Sequence, residues 1–416
     1  MPLVEITAMS FGPYGIGHLD GKAVMVPRAV AGDLLEISLV KRSGAHAIGR
    51  IEQIVRPSPD RRASPCPFVP RCGGCDWQQI DYAAQAVFKA RMLAEAFRRA
   101  LGIELDERGL VAVAPAEFGY RARTRFKIGA DGKAGFHAAA SHTLVEVDRC
   151  LIAAGAGAAP RALAAALGAR CAEIETVADG GRTILVASLK RAPQAADLAR
   201  AGAVLARDPA VRGVVLRGGG QRKFIGDVRL AIEVEPDCAI ETEADLFSQV
   251  NREQNRKLVA AVMALGGFDA RIKLLDLFCG GGNFSLPAAR RGAAVSGVDA
   301  DAAAIAAASA NAARMGLGGA RFIAMKAEET ARFLDRAGYR PDVVILDPPR
   351  AGAADLMEPI ARMRPAAIIY VACDVATMVR DLGALATHHY QVREVRGFDF
   401  FPNTHHLEVV ARALLT

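Results

Sequence analysis

Three cysteines stand within ten residues in Cys66-Pro67-Phe68-Val69-Pro70-Arg71-Cys72-Gly73-Gly74-Cys75. Prolines stiffen this loop, and the two glycines let its backbone fold tightly around sulfur. Three thiolates so spaced can converge on one metal centre, and a closed tetrahedral or four-iron site needs a fourth. Cys150 is the best candidate for it, at the end of the strand-like run Thr143–Val147. Four thiolates suit zinc and iron–sulfur alike. The isolated Cys171 and Cys238 read as core residues. A second feature is Leu274-Leu275-Asp276-Leu277-Phe278-Cys279-Gly280-Gly281-Gly282-Asn283-Phe284, an apolar strand running through a glycine-rich turn into a helix. Glycines there admit a cofactor to the backbone at the carboxyl edge of a sheet. Asp299 closes the next strand about twenty residues on, where an acid suits a ribose diol. Cys279 reads as a small packed residue of the turn.

Three further motifs fall at strand tips or beside them. Asp347-Pro348-Pro349-Arg350 follows the run Val343–Leu346, so rigid prolines fix an acid over the crevice. Tyr370-Val371-Ala372-Cys373-Asp374 puts a thiol at the same edge. Phe401-Pro402-Asn403-Thr404-His405-His406-Leu407-Glu408 lies beside the last strand. A thiol nucleophile with a carboxylate base is the pair that methylation of uracil at C5 requires. Addition of the thiolate at C6 makes C5 nucleophilic, and a base must afterwards remove the C5 proton so that the thiol can leave. His405 and His406 are alternative bases. In Tyr120-Arg121-Ala122-Arg123-Thr124-Arg125-Phe126-Lys127, basic residues alternate along a strand, which predicts a row of positive charge on one face, suited to phosphates.

These residues need elements to hold them. The chain has 416 residues, 23% charged and 52% hydrophobic, which predicts two or three folded domains. Residues 1–56 read as short strands (Val4–Ile6, Ala23–Val26, Leu34–Ile37 and Ile48–Val55), with 12–17 as a loop, and predict a small barrel. Residues 57–245 form a middle region, opened by the prolines 57, 59, 65, 67 and 70 and containing a helix over Tyr82–Leu101. Residues 246–416 alternate apolar runs (Lys273–Phe278, Val295–Val298, Asp342–Leu346, Ile368–Val371) with helical patterns, which predicts a doubly wound α/β sheet. The net charge of +7 is concentrated: Lys41 to Arg71 holds seven basic and two acidic residues. Uncharged runs are shorter than the ~18 residues of a membrane span. Residues 1–5 lack a signal-peptide pattern, so a cytoplasmic location with reduced cysteines is expected.

The glycine-rich turn resembles the S-adenosylmethionine site of class I methyltransferases. Taken together, the motifs resemble the RNA uracil-C5 methyltransferases, in the branch acting on 23S ribosomal RNA. The resemblance implies a class I (Rossmann-like) methyltransferase domain, preceded by an OB-like TRAM barrel that binds RNA and a mixed α+β central domain. It implies a [4Fe–4S] cluster on Cys66, Cys72, Cys75 and Cys150, and S-adenosylmethionine held by Gln249 (in Phe247-Ser248-Gln249-Val250-Asn251), Phe278, Asn283 and Asp299. Asp347 would sit between cofactor and target base, Cys373 would be the nucleophile and Glu408 the base. RNA is the implied partner, with no membrane and no obligate protein partner. The family usually reads Ser-Cys-Asn-Pro where this chain has Ala372-Cys373-Asp374-Val375, so two arrangements are open: an Asp374 charge beside the thiol, which would raise its pKa, or a loop that points the acid away. The ribose acid is often Glu and here is Asp299. No adenine contact is assigned around Lys326-Ala327-Glu328. The rivals are an amino-methyltransferase acting on an RNA purine, which needs no thiol, and a non-catalytic RNA-binding or assembly factor.

Overall fold

The computed structural model describes residues 1–44, 46–155 and 157–416. The first five strands, Leu3–Met9, Tyr14–Leu19, Lys22–Pro27, Leu34–Arg42 and His46–Arg56, close into a barrel. The first pairs with the fourth, and the third runs parallel to the fifth, which is the OB arrangement. Alternating residues fill it: Val4 and Ile6, Val24 and Val26, Leu35 and Ile37 are all buried. The segment expected as a loop at 12–17 is in large part the strand Tyr14–Leu19. Its glycines serve close strand approach rather than a turn, because a Cβ at Gly17 would meet Val4 Cγ1 at 2.4 Å and Glu5 O at 2.5 Å.

A seven-stranded sheet follows, in the order Gln221–Gly226, Val211–Gly218, Arg182–Leu189, Cys171–Asp179, Arg123–Ile128, Ala134–His137 and Leu144–Glu146. Helices Ala159–Leu167 and Ala195–Arg207 cover one face, over Phe126, Ile174, Leu185 and Leu216. The other face presents Val177, Val186 and Val215 to a core shared with the C-terminal part.

The last sheet has eight strands. Ala320–Ala324, Ala294–Asp299, Lys273–Leu277, Val343–Leu346 and Ala367–Ala372 run parallel in that spatial order. Glu408–Leu415 then inserts antiparallel between Ala367–Ala372 and Tyr390–Phe398. The central strands Val343–Leu346 and Ala367–Ala372 are buried on both faces, as their near-continuous Val, Ile and Ala content requires. The region expected at 57–245 is divided by this sheet. Val111–Ala112 is its edge strand, and helix Tyr82–Leu101 packs Leu93 and Phe97 onto the same core as Leu275 and Val344. The hairpin of Arg229–Glu235 and Cys238–Glu243 likewise puts Ile232 and Ile240 among the C-terminal core residues. Periodicity marked these elements but carried no sign of which sheet they would cover. Among the described residues, no helix is long and apolar enough to cross a membrane.

Candidate active site

Parallel register puts the ends of four strands side by side. Leu277 pairs with Val298 and with Leu346, and Leu346 with Tyr370. Phe278, Asp299, Asp347 and Cys373 therefore all emerge at one carboxyl edge, where open α/β sheets bind ligands.

The chain reverses sharply after Leu277. Phe278 takes φ +65°, Gly280 +52° and Gly282 +94°, and a Cβ at Gly282 would meet Leu286 Cγ at 2.8 Å. The turn is held from the next strand: the Gly280 N–H donates to Asp299 Oδ2 at 2.9 Å, and the Asp301 N–H donates to Oδ1 at 2.8 Å. Asn283 and Asn255 exchange amide hydrogen bonds of 2.8 and 3.0 Å. This ties the turn to helix Arg252–Gly266, which Gln249 precedes by three residues. Arg123 anchors that approach, donating to the carbonyls of Ala244 (2.8 Å) and Leu246 (2.7 Å) while paired with Glu175 at 2.8 Å.

Three carboxylates crowd this edge. Burial pushes Asp276 up to about 7, and the charges of Asp347 and Asp299 add to that shift. Asp347 is likewise pushed up to about 7, by burial and then by Asp299. Ser285 donates to Asp276 Oδ2 at 2.5 Å, but the buried Asp276 Oδ1 has no partner among the described residues. Like charges and an unpaired oxygen are what a cationic ligand would relieve, which fits a sulfonium cofactor.

The antiparallel pairing of Ala372 with Val409 sets Cys373 across from Glu408 at the strand end. Glu408 is 4% exposed, and burial, then the Asp347 charge, pushes its carboxyl well above the usual range, against the pull of Arg350. The Cys373 thiol is pushed up to about 11 by burial, then by Glu408, with Arg350 opposing and Asp347 adding. Asp347, Arg350, Cys373 and Glu408 thus form one electrostatic unit. Arg350 ends the Asp-Pro-Pro-Arg run, where sequence alone assigns it no role.

Of the two arrangements open for Asp374, the structure has the acid turned away from the thiol. Its carboxylate caps helix Val375–Ala386, accepting from the Thr377 N–H at 3.1 Å. An acid serves there as well as an amide. The alternative bases are also placed elsewhere. His405 Nδ1 bonds the Asp76 carboxylate, and His406 is pushed down to about 4 by burial, then by His405 and Arg350, which favours its neutral ring and makes it a weak base.

Cys66, Cys72, Cys75 and Cys150 line one cavity of about 300 Å³, together with Arg121, Arg350, Phe401 and His406. Burial pushes Cys75 up to about 12, and the other three thiols add to that shift. Cys72 and Cys150 are raised by burial too. Gly73 is needed for its lack of a side chain, since a Cβ would lie 2.9 Å from Ala139 N. Among the described residues, no three His, Cys, Asp or Glu side chains are drawn close enough to hold a metal ion.

The expected row of free positive charge is corrected as well. Arg123 is buried against Glu175, while Arg125 (3.1 Å) and Lys127 both pair with Glu173. The acids sit on the adjacent strand, directly across from Arg125 and Lys127, a neutralisation that no reading of one strand reveals. Arg121 lies apart from this ladder, 5.9 Å from the centre of the Phe401 ring.

The strand order, the reversed last strand and the acid-lined carboxyl edge define a class I S-adenosylmethionine-dependent methyltransferase. The family model described as tRNA (Uracil-5-)-methyltransferase matches residues 227–413. The chain is 31% identical to a 23S rRNA (uracil(1939)-C(5))-methyltransferase RlmD of Pseudomonas putida, over 98% of this chain and 92% of that one. It is 30% identical to an RlmD of Pectobacterium atrosepticum (98% and 93%), and 33% identical to an uncharacterized RNA methyltransferase of Gloeobacter violaceus (98% and 95%). The crystal structure of a Pyrococcus abyssi tRNA (uracil-54, C5)-methyltransferase in complex with S-adenosyl-L-homocysteine shares the fold, with a TM-score of 0.74 at 24% identity, covering 99% of this chain and all of that one. The chain belongs to the RNA uracil-C5 methyltransferase family.

Proposed function

We propose that this protein methylates C5 of a uridine in 23S ribosomal RNA, with Cys373 as nucleophile and Glu408 as base. The observation that carries the reading is the register that sets Cys373 across from Glu408 at the sheet edge, beside Asp347 and Arg350. Full-length similarity to relatives named as 23S rRNA methyltransferases supports the choice of RNA. S-adenosylmethionine, when bound, supplies the methyl group on a sulfonium; Gln249, Phe278, Asn283, Asp299 and Asp347 would hold it. The Cys373 sulfur adds to C6 of the uracil, and Arg350 favours its ionised form. Once C5 carries the methyl group, Glu408 takes the C5 proton, the C5–C6 double bond re-forms and Cys373 leaves. The barrel and the basic segment before Arg71 would hold RNA through phosphate contacts, and the target base must be unstacked to reach the edge.

The four-cysteine cavity is proposed as the seat of a [4Fe–4S] cluster. Four thiols line one cavity, and burial together with the neighbouring thiols raises Cys72, Cys75 and Cys150, which favours a positively charged occupant there. Methyl transfer consumes no electron, so the cluster's role would be to shape the RNA-facing loop.

Nucleoside analysis of a 23S rRNA transcript incubated with protein and S-adenosylmethionine tests the reading. The expected product is 5-methyluridine. Methylated purine would establish the amino-methyltransferase alternative, and no product on any RNA domain would leave a binding factor.

A further inference from the structure

The loop 399–407, which delivers Glu408 to its strand, is held by a buried polar network that no step of the chemistry uses. Asp399 and Lys89 are both fully buried and pair at 2.7 Å. Lys89 also donates to the Phe401 carbonyl at 3.2 Å, and Asp399 accepts from the Phe401 N–H at 3.2 Å. Four residues on, Asn403 stands at φ +67° with every polar group engaged. Its N–H donates to Gln85 Oε1 at 2.8 Å, and its carbonyl accepts from the Trp77 N–H at 3.1 Å. Its amide donates to the Glu117 carbonyl at 2.8 Å and accepts from Arg62 at 3.0 Å and Gln85 at 3.3 Å.

Gln85 and Lys89 are one helical turn apart on Tyr82–Leu101, so one rigid face grips the loop at two points. The grip is next to the base: Phe398 pairs with Glu408 across the strands, and Asp399 follows Phe398 directly. A buried ion pair is a poor source of stability, because an apolar pair of similar volume is often as good or better. Its use here needs another reason, and holding a loop in one geometry is a use such pairs can have.

We propose that Lys89, Asp399 and Asn403 are positioning residues for proton removal by Glu408, setting the carboxylate against the C5 hydrogen of the methylated adduct. The inference rests on the reading of Glu408 as base. It makes a kinetic distinction: a displaced base leaves thiol addition and methyl transfer intact but stalls the last step, so the methylated covalent enzyme–RNA adduct builds up on ordinary uridine RNA.

The test compares wild type, Asn403→Gly, Lys89→Met and the double variant Lys89→Met/Asp399→Leu. Asn403→Gly keeps the left-handed backbone and loses only side-chain bonds. The double variant removes both buried charges, so it stays folded if the single change does not. Adduct is read on denaturing gels after single-turnover mixing with S-adenosylmethionine and 23S rRNA transcript, beside methyl incorporation and thermal melting. The expected result is folded variants that incorporate methyl at the wild-type rate but resolve the adduct about a hundredfold more slowly, the scale of a 1 Å misplacement. Folded Asn403→Gly and double variants that resolve it as fast as wild type would overturn the inference. So would a parallel fall in both rates that tracks lost stability, which marks a merely structural role. A separate arm uses 5-fluorouridine RNA: if wild type traps no adduct there, the reading of Cys373 and Glu408 itself fails.

Discussion

Asp374 offers a sharp test of how the nucleophile's surroundings work. Its carboxylate caps helix Val375–Ala386 through the Thr377 N–H, and the Thr377 hydroxyl donates back to the Asp374 carbonyl at 3.1 Å. Asp374→Ala removes the cap and should cost about 1 kcal/mol, a fall in Tm of about 2–4 °C for a cooperative unit of 150–250 residues. Asp374→Asn keeps the acceptor and loses only the favourable charge at the helix N-terminus, about 0.3–1 kcal/mol. Neither change should move the thiol, whose upward shift to about 11 comes from burial, Glu408 and Asp347. A carboxylate facing the sulfur behaves very differently. At about 4 Å and an effective dielectric of about 20 it contributes ~4 kcal/mol, or about three pKa units, all released by Asp374→Asn. Alkylation by iodoacetamide as a function of pH, read by mass spectrometry on the peptide carrying Cys373, measures this site among the eight cysteines. Unchanged Cys373 titration in both variants, with Tm reduced most in Asp374→Ala, is expected. A fall of a unit or more in the Cys373 pKa of Asp374→Asn would refute the reasoning.

Other expectations follow from the same geometry. Arg350→Met removes the cation that opposes the upward shifts of Cys373 and Glu408. Methylation at pH 7 should fall about tenfold for each unit the thiol rises and recover toward alkaline pH; a pH profile parallel to wild type would contradict this. Asp276 and Asp347 hold protons up to about pH 7, against 3.8 ordinarily. The folded state therefore binds more protons than the unfolded chain between about pH 4 and 7, and stability is lost as pH rises through that window. The Tm of the free protein should fall from pH 5.5 to 8 while the stabilisation by S-adenosylmethionine grows, and a flat response of both would count against the acid-lined site. Protein purified without oxygen should contain iron and acid-labile sulfide, both lost in Cys75→Ser; zinc without sulfide would replace the cluster reading.

Local chemistry was legible wherever it was written in consecutive residues. Asp347, Cys373 and the glycine-rich turn could be placed at strand tips because apolar runs precede them directly. The barrel strands declared themselves by alternation, except Tyr14–Leu19, whose glycines mimic a turn while serving close packing. What escaped was pairing across the chain. Lys89 and Asp399 are 310 residues apart, and nothing in either segment marks the other as its partner. The same limit hid Glu173 and Glu175 behind the basic strand, and kept helix Tyr82–Leu101 apart from the sheet it covers. Asp374 left two arrangements open in sequence, although an acid before an apolar helix is a recognisable start signal, and the cap on Thr377 decides between them.

The most direct test of the central claim is covalent trapping. Protein purified without oxygen is mixed with S-adenosylmethionine and a 23S rRNA transcript containing 5-fluorouridine, whose fluorine cannot leave as the C5 proton does. A denaturation-resistant adduct is expected that requires S-adenosylmethionine, maps to one uridine and disappears in Cys373→Ala. Methylation of ordinary RNA without any trapped adduct, or full activity in Cys373→Ala, would contradict the mechanism.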